Sequence, residues 1–118
     1  MILRPEILTE PAETIEERFQ NTTLRPILKL QNDLLILAFR QYIKNQKVRF
    51  NNLSVLEQKT FLAKALRKDQ HFKHFVRGLI AAHFSHEEWK TFAACEGEIN
   101  KRMINLIEQR LASKLSDI

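Results

Sequence analysis

Two glycines and three prolines in 118 residues are too few for a fold that turns at every strand end. Sandwiches and barrels need these residues at most corners, so their scarcity excludes a turn-rich β architecture and leaves helices joined by short polar connections. Cys95 is the lone cysteine, so no disulfide can form within the chain. Its alanine-rich surroundings suggest a buried small residue, not an activated thiol. Long apolar runs are missing as well. The longest, Leu34 to Phe39, is far too short to span a bilayer, and Met1 to Pro11 lacks the apolar core of a secretory signal. These absences read as a soluble, cytoplasmic protein with no membrane partner.

Helix starts, by contrast, are plentiful. Thr14 with Glu17, Ser54 with Glu57 and Ser85 with Glu88 each place a hydroxyl three residues before a glutamate, ahead of an apolar-periodic run. In that spacing the hydroxyl accepts from one free N–H of the first turn while the carboxylate reaches back to another. The expected fold is all-α: a five-helix bundle in a single domain over residues 1–118, with residues 1–13 as an extended tail.

The first helix is expected from Thr14 to Gln20, with Ile15 and Phe19 on its buried side, then a break at Asn21 to Thr23. A second runs from Leu24 to Asn45 with Thr23 as its cap and Pro26 in its first turn, where the missing N–H costs nothing. Around Leu34 to Phe39 it is apolar on every side, which marks a central helix surrounded by protein. After a loop anchored by Val48 and Phe50, Ser54 opens a third helix to Lys68 and Asp69 caps a fourth to His83. Phe61, Leu62, Ala65 and Leu66 of the third face inward, as do Phe72, Phe75, Val76, Leu79 and Ile80 of the fourth.

The fifth helix, His86 to Ser116, is expected to be about 46 Å long against about 21 Å for the fourth. Gly78 with Ala82 and Ala93 with Gly97 suggest close packing in that hairpin; the alternative is a kink at Gly97. Half of the long C-terminal helix then overhangs. Its stripe of Ile104, Ile107, Leu111, Leu115 and Ile118 is the expected homodimer interface.

Charge is unevenly spread within the formal +5. Residues 1–23 sum to −3, residues 24–84 to +9 and residues 85–118 to −1. Lys64, Arg67, Lys68, Lys73 and Arg77 on the third and fourth helices form a candidate anion or nucleic-acid face, and an acidic protein is the other partner such charge suggests. Only Asp69 separates those two helices, however, which is shorter than a helix-turn-helix turn. Arg25, Lys29, Asn32 and Asp33 share one face of the second helix. They read as a structural ion network or, alternatively, a ligand site.

His71 with His74, and His83 with His86, have the three-residue spacing that places two nitrogens on one helical face, with Glu87 or Glu88 as a third ligand. The four do not converge in the helical reading, so no metal site and no cofactor are assigned. No nucleophile beside a base, phosphate-cradling glycine loop or zinc-protease spacing is found, and no catalytic residue is assigned.

The segment from Phe19 to Leu34, with Asn21-Thr22-Thr23-Leu24-Arg25-Pro26 at its head, resembles a group of small uncharacterised all-helical bacterial proteins, some of which carry the label glyoxalase. Glyoxalases of the vicinal-oxygen-chelate type are built from βαβββ units and bind metal through His and Glu on strands. This chain matches neither feature, so the resemblance implies no activity and no site residue. The sequence thus reads as a non-enzymatic helical interaction module that self-associates through its second and fifth helices. A nucleic-acid-binding protein is the first alternative, and a metal-dependent or small-molecule enzyme the second.

Overall fold

The computed structural model of the protein describes residues 13–118, and these are helical with no strand among them. All but Glu13 of the expected tail lies outside the described residues. The segments are α1 (Ile15–Phe19), a π-helical turn (Gln20–Leu24), α2 (Arg25–Leu30), α3 (Asn32–Asn45), α4 (Val55–Arg67), α5 (Gln70–Ala81), α6 (His86–Ala94) and α7 (Glu96–Ala112). Short 3-10 turns at Phe50–Asn52 and Leu115–Asp117 complete the chain. All three hydroxyl–glutamate pairs form reciprocal caps, and Asp69 caps α5 through the Phe72 N–H at 3.1 Å.

The helix boundaries differ from the five expected, each for a local reason. No break follows Gln20. The chain widens instead into a π turn, in which the Arg25 N–H donates to the Gln20 carbonyl five residues back. Pro26 has no N–H for the Thr22 carbonyl, and in ordinary α spacing its ring collides with that carbonyl; one extra residue in the turn relieves the collision without ending the helix. Thr23 is accordingly no cap: it is buried, and its hydroxyl donates to Glu88 at 3.2 Å. Ile15, expected inward, is 64% exposed.

A kink then divides the expected second helix at Gln31, whose φ of −96° and ψ of 13° leave the helical region. The bonds from Gln31 N–H to Ile27 and from Leu35 N–H to Gln31 persist across it, at 2.8 and 2.9 Å. At its far end α3 closes with Lys47 at a φ of 57°, and the Val48 and Lys47 N–H groups reach back to Ile43 and Lys44. That is a left-handed cap built on a lysine where glycine is the usual choice.

The expected fifth helix is also two helices. The break falls at Cys95, with φ −129° and ψ 34°, two residues before Gly97. Cys95 is half-buried there, not fully enclosed. After this break α7 packs against α1, the π turn, α3, α4, α5 and α6. Ile99, Met103, Ile104, Leu106, Ile107 and Leu111 are all buried along it. The central helix is therefore α7, and not the expected second helix, whose Leu30, Leu34 and Leu37 are exposed.

Two aromatic clusters fill the ends of this core. Phe39, fully buried, contacts Tyr42, Phe50, Phe61 and Phe72, with ring centroids 5.6 to 6.4 Å apart. At the other end Phe84 meets Phe19 edge-on at 5.3 Å and Phe92 at 5.5 Å. Such pairs add about 0.5–1.5 kcal/mol beyond the area they bury. Polar ties fix α7 in register: Arg67 with Glu108 at 2.7 Å, Arg102 with Gln20 at 3.0 Å, and Arg110 with Asn32 at 3.1 Å.

Candidate functional site

The stripe expected to meet a second copy is covered by the chain itself. Ile104, Ile107 and Leu111 are buried, and Leu115 and Ile118 are half-buried against the core. Because α7 is packed against the other helices along its length, this face offers no free surface for a homodimer. Nor do the small residues form a tight hairpin. A Cβ added at Gly78 or Gly97 would meet nothing within 4 Å, and Ala82 and Ala93 are exposed.

Exposed apolar side chains occur on several helices: Ile15 on α1, Val55 and Leu56 on α4 and Trp89 on α6, with a larger group on α2, α3 and α5. Leu30, Leu34 and Leu37 are 69, 42 and 55% exposed, and Phe75, expected in the core, is 54% exposed. α3 and α5 run antiparallel. Their pairing is pinned at one end by Gln31 with His83 and at the other by the Tyr42 hydroxyl donating to Asp69 at 3.0 Å. Around the Tyr42–Asp69 pin lies a shallow groove of about 520 Å³, lined by Ala38, Gln41, Tyr42, His71, Phe72 and Phe75 among others. Asp33, Leu37, Arg40 and Lys44, spaced by four, three and four, share another edge of α3, about 120° around the helix from this groove, where Arg40 and Lys44 line a second cleft with Ile43, Val48 and Ile118.

The Tyr42–Asp69 bond is the one place where titration is clearly displaced within this groove. Burial, reinforced by the Asp69 carboxylate, pushes the Tyr42 phenol up to about 12. Asp69 is held below the usual carboxylate range, chiefly because it accepts from the Phe72 N–H. Both effects stabilise a neutral phenol beside a carboxylate. They suit a structural pin and not a proton donor at neutral pH.

Of the five basic residues singled out on α4 and α5, the fold brings three to one cleft. Arg67, Lys73 and Arg77 line about 370 Å³ between α4, α5 and α7, joined by Asn100 and Lys101 from α7. Lys64 on α4 and Lys68 just past its end stay outside, both exposed. Arg67 is partly neutralised by Glu108 and Asn105. Lys101 was missed by the sequence reading because the expected overhang of a continuous fifth helix placed it beyond the reach of the fourth.

The polar cluster on the second helix does not close into a network. Arg25 donates to Asn21 at 3.1 Å, Asn32 bridges Asp33 and Arg110, and Lys29 and Asp33 are exposed without an ion pair among the described residues. The histidines are all exposed, His83 bonding Gln31, and Glu88 is occupied by Ser85 and Thr23. Among the described residues no three His, Cys, Asp or Glu side chains gather as metal ligands, and no helix is long and apolar enough to cross a membrane.

Comparison with protein-family models, with curated proteins and with solved structures gives no match to this chain. Fold and surface of the described residues define an all-helical domain with an exposed apolar group on α2, α3 and α5 and a basic cleft between α4, α5 and α7.

Proposed function

We propose that the protein is a non-enzymatic helical interaction module that pairs with a second copy of itself through the apolar face of α2, α3 and α5. The observation that carries this reading is the row Leu30, Leu34, Leu37 and Phe75, four large apolar side chains each more than two-fifths exposed on adjoining helices. Burying them removes apolar area from water at about 25 cal/mol per Å².

The edge charges favour a second copy over an unrelated partner. A two-fold axis crossing this edge of α3 at the level of Ala38 sets Asp33 of each chain beside Lys44 of the partner subunit, with Leu37 and Arg40 between them and Leu34 and Gln41 alongside. One surface then supplies both halves of the contact, as an isologous interface requires. The size of the face sets the strength. α3 is about 21 Å long and two helices are about 20 Å wide, so the footprint is on the order of 400 Å² per chain. A standard interface uses about 800 Å² per partner, so this pairing is weak and concentration-dependent, with a dissociation constant in the micromolar range.

Charge exchange tests the arrangement. Asp33→Lys and Lys44→Asp should each lower the dimer fraction measured by sedimentation velocity, and the double variant should restore it. Two single variants that dimerise like the parent, or a double variant that fails to recover, would refute the two-fold pairing.

A further inference from the structure

The cleft between α4, α5 and α7 carries a second inference, independent of the apolar face. Lys73 and Arg77 are four residues apart on α5, so they neighbour each other on one helical face, and both are half-buried. Lys101 and Asn100 face them from α7, and Arg67 closes the end from α4. Three helices thus direct four cationic side chains at one space of about 370 Å³. Of these, Arg67 pairs with a carboxylate, that of Glu108. Lys73, Arg77 and Lys101 enter no ion pair among the described residues. Cationic side chains lining one cleft raise its positive potential and favour an anion there.

Gly97 adds to the picture from the cleft wall. Its φ is not positive, and a Cβ there would meet no atom within 4 Å, so neither backbone geometry nor internal packing requires glycine. Its missing side chain leaves that wall open to a visitor from outside the chain.

We propose that this cleft binds the phosphodiester backbone of a nucleic acid. An extended polyanion fits better than a single phosphate, because Lys64 and Lys68 continue the positive surface along α4 beyond the cleft itself. Asn100 supplies a neutral donor suited to a phosphate or sugar oxygen. No aromatic ring lines the cleft, and Phe75, two residues from both Lys73 and Arg77, points about 160° away on α5. Backbone contacts without stacking or base-edge readout give binding without sequence preference.

Fluorescence anisotropy with a labelled 20-base-pair duplex, and with one of its strands alone, tests the assignment. Three to four neutralised phosphates predict that duplex affinity falls about 40- to 150-fold between 50 and 200 mM salt. The triple variant Lys73→Ala, Arg77→Ala, Lys101→Ala should weaken binding at least about tenfold at low salt, since each lost phosphate contact removes a counterion-release step. A charge-matched control, Lys29→Ala, Lys59→Ala, Lys90→Ala, should stay within about threefold of the parent by the same reasoning. Equal losses in the two triple variants would overturn the site. So would the absence of binding to either probe at low salt, or a response to a polyglutamate peptide alone, which would assign the cleft to an acidic protein.

Discussion

Replacing Leu111 by alanine tests whether α7 is covered by its own chain. Leu111 is fully buried near the end of α7, in one cluster with Met103 and Ile107. The substitution removes three carbons at about 0.8 kcal/mol each. A residual void on the order of 40 Å³ adds about 1 kcal/mol, for a loss of about 3–4 kcal/mol. An unfolding entropy of about 2.1 cal/mol/K per residue gives this chain about 0.25 kcal/mol/K, so the melting temperature should drop by about 12–16 °C. Far-ultraviolet circular dichroism during heating reads this directly, and the drop should be the same at every protein concentration. Leu37→Ala, on the exposed face, should move the low-concentration melting point by about 2 °C or less. A Leu111→Ala drop below about 3 °C, or one that grows on dilution, would refute the burial of α7 within one subunit.

Further outcomes follow from the caps and the one phenol. Two glycine exchanges of opposite sense should both stabilise in chemical denaturation. Gly78→Ala fills open space inside a helix, and Lys47→Gly relieves a left-handed residue, each worth about 0.5–1 kcal/mol. Tyr42 is the lone tyrosine, so phenolate absorbance reports it alone: it should ionise near 12 in the folded protein, and lower in Asp69→Asn while staying above 10, because burial is the largest cause. Since its folded value is raised, its contribution to stability is complete below pH 10 and is lost as pH climbs toward 12. Asp69 and Glu57 act in the opposite sense. Their lowered folded values give stability that is present above the ordinary carboxylate range and is lost as pH falls through those folded values, which a pH series of melting curves should trace.

Local chemistry was the legible part of this sequence. Thr14, Ser54, Ser85 and Asp69 were read as helix starts because a cap depends on residues three apart, and all four form. The all-helical class followed from the same signals and from the scarcity of turn residues. Bends set by distant contacts were not legible. The kink at Gln31 and the break at Cys95 carry no glycine or proline, and the side chain of Gln31 bonds His83, 52 positions away in sequence. An apolar stripe also says which face is oily without saying what covers it. The stripe of α7 and the run around Leu34 looked alike on that score, yet the first lies against the core throughout, while the second is split, with Leu35, Ile36 and Phe39 buried and Leu34 and Leu37 on the surface. Phe75 shows the same limit within one helix. It flanks the stripe of Phe72, Val76 and Ile80, and its exposure depends on where α3 stops covering α5.

Solution mass over a range of concentrations is the most direct test of the apolar face. Light scattering on the parent chain should show monomer at low micromolar concentration rising toward twice that mass at several hundred micromolar, as a weak two-fold contact requires. Leu37→Asp should keep the monomer mass throughout while melting like the dilute parent. A parent that stays monomeric at the highest concentration, or a Leu37→Asp variant that still doubles its mass, would contradict the account.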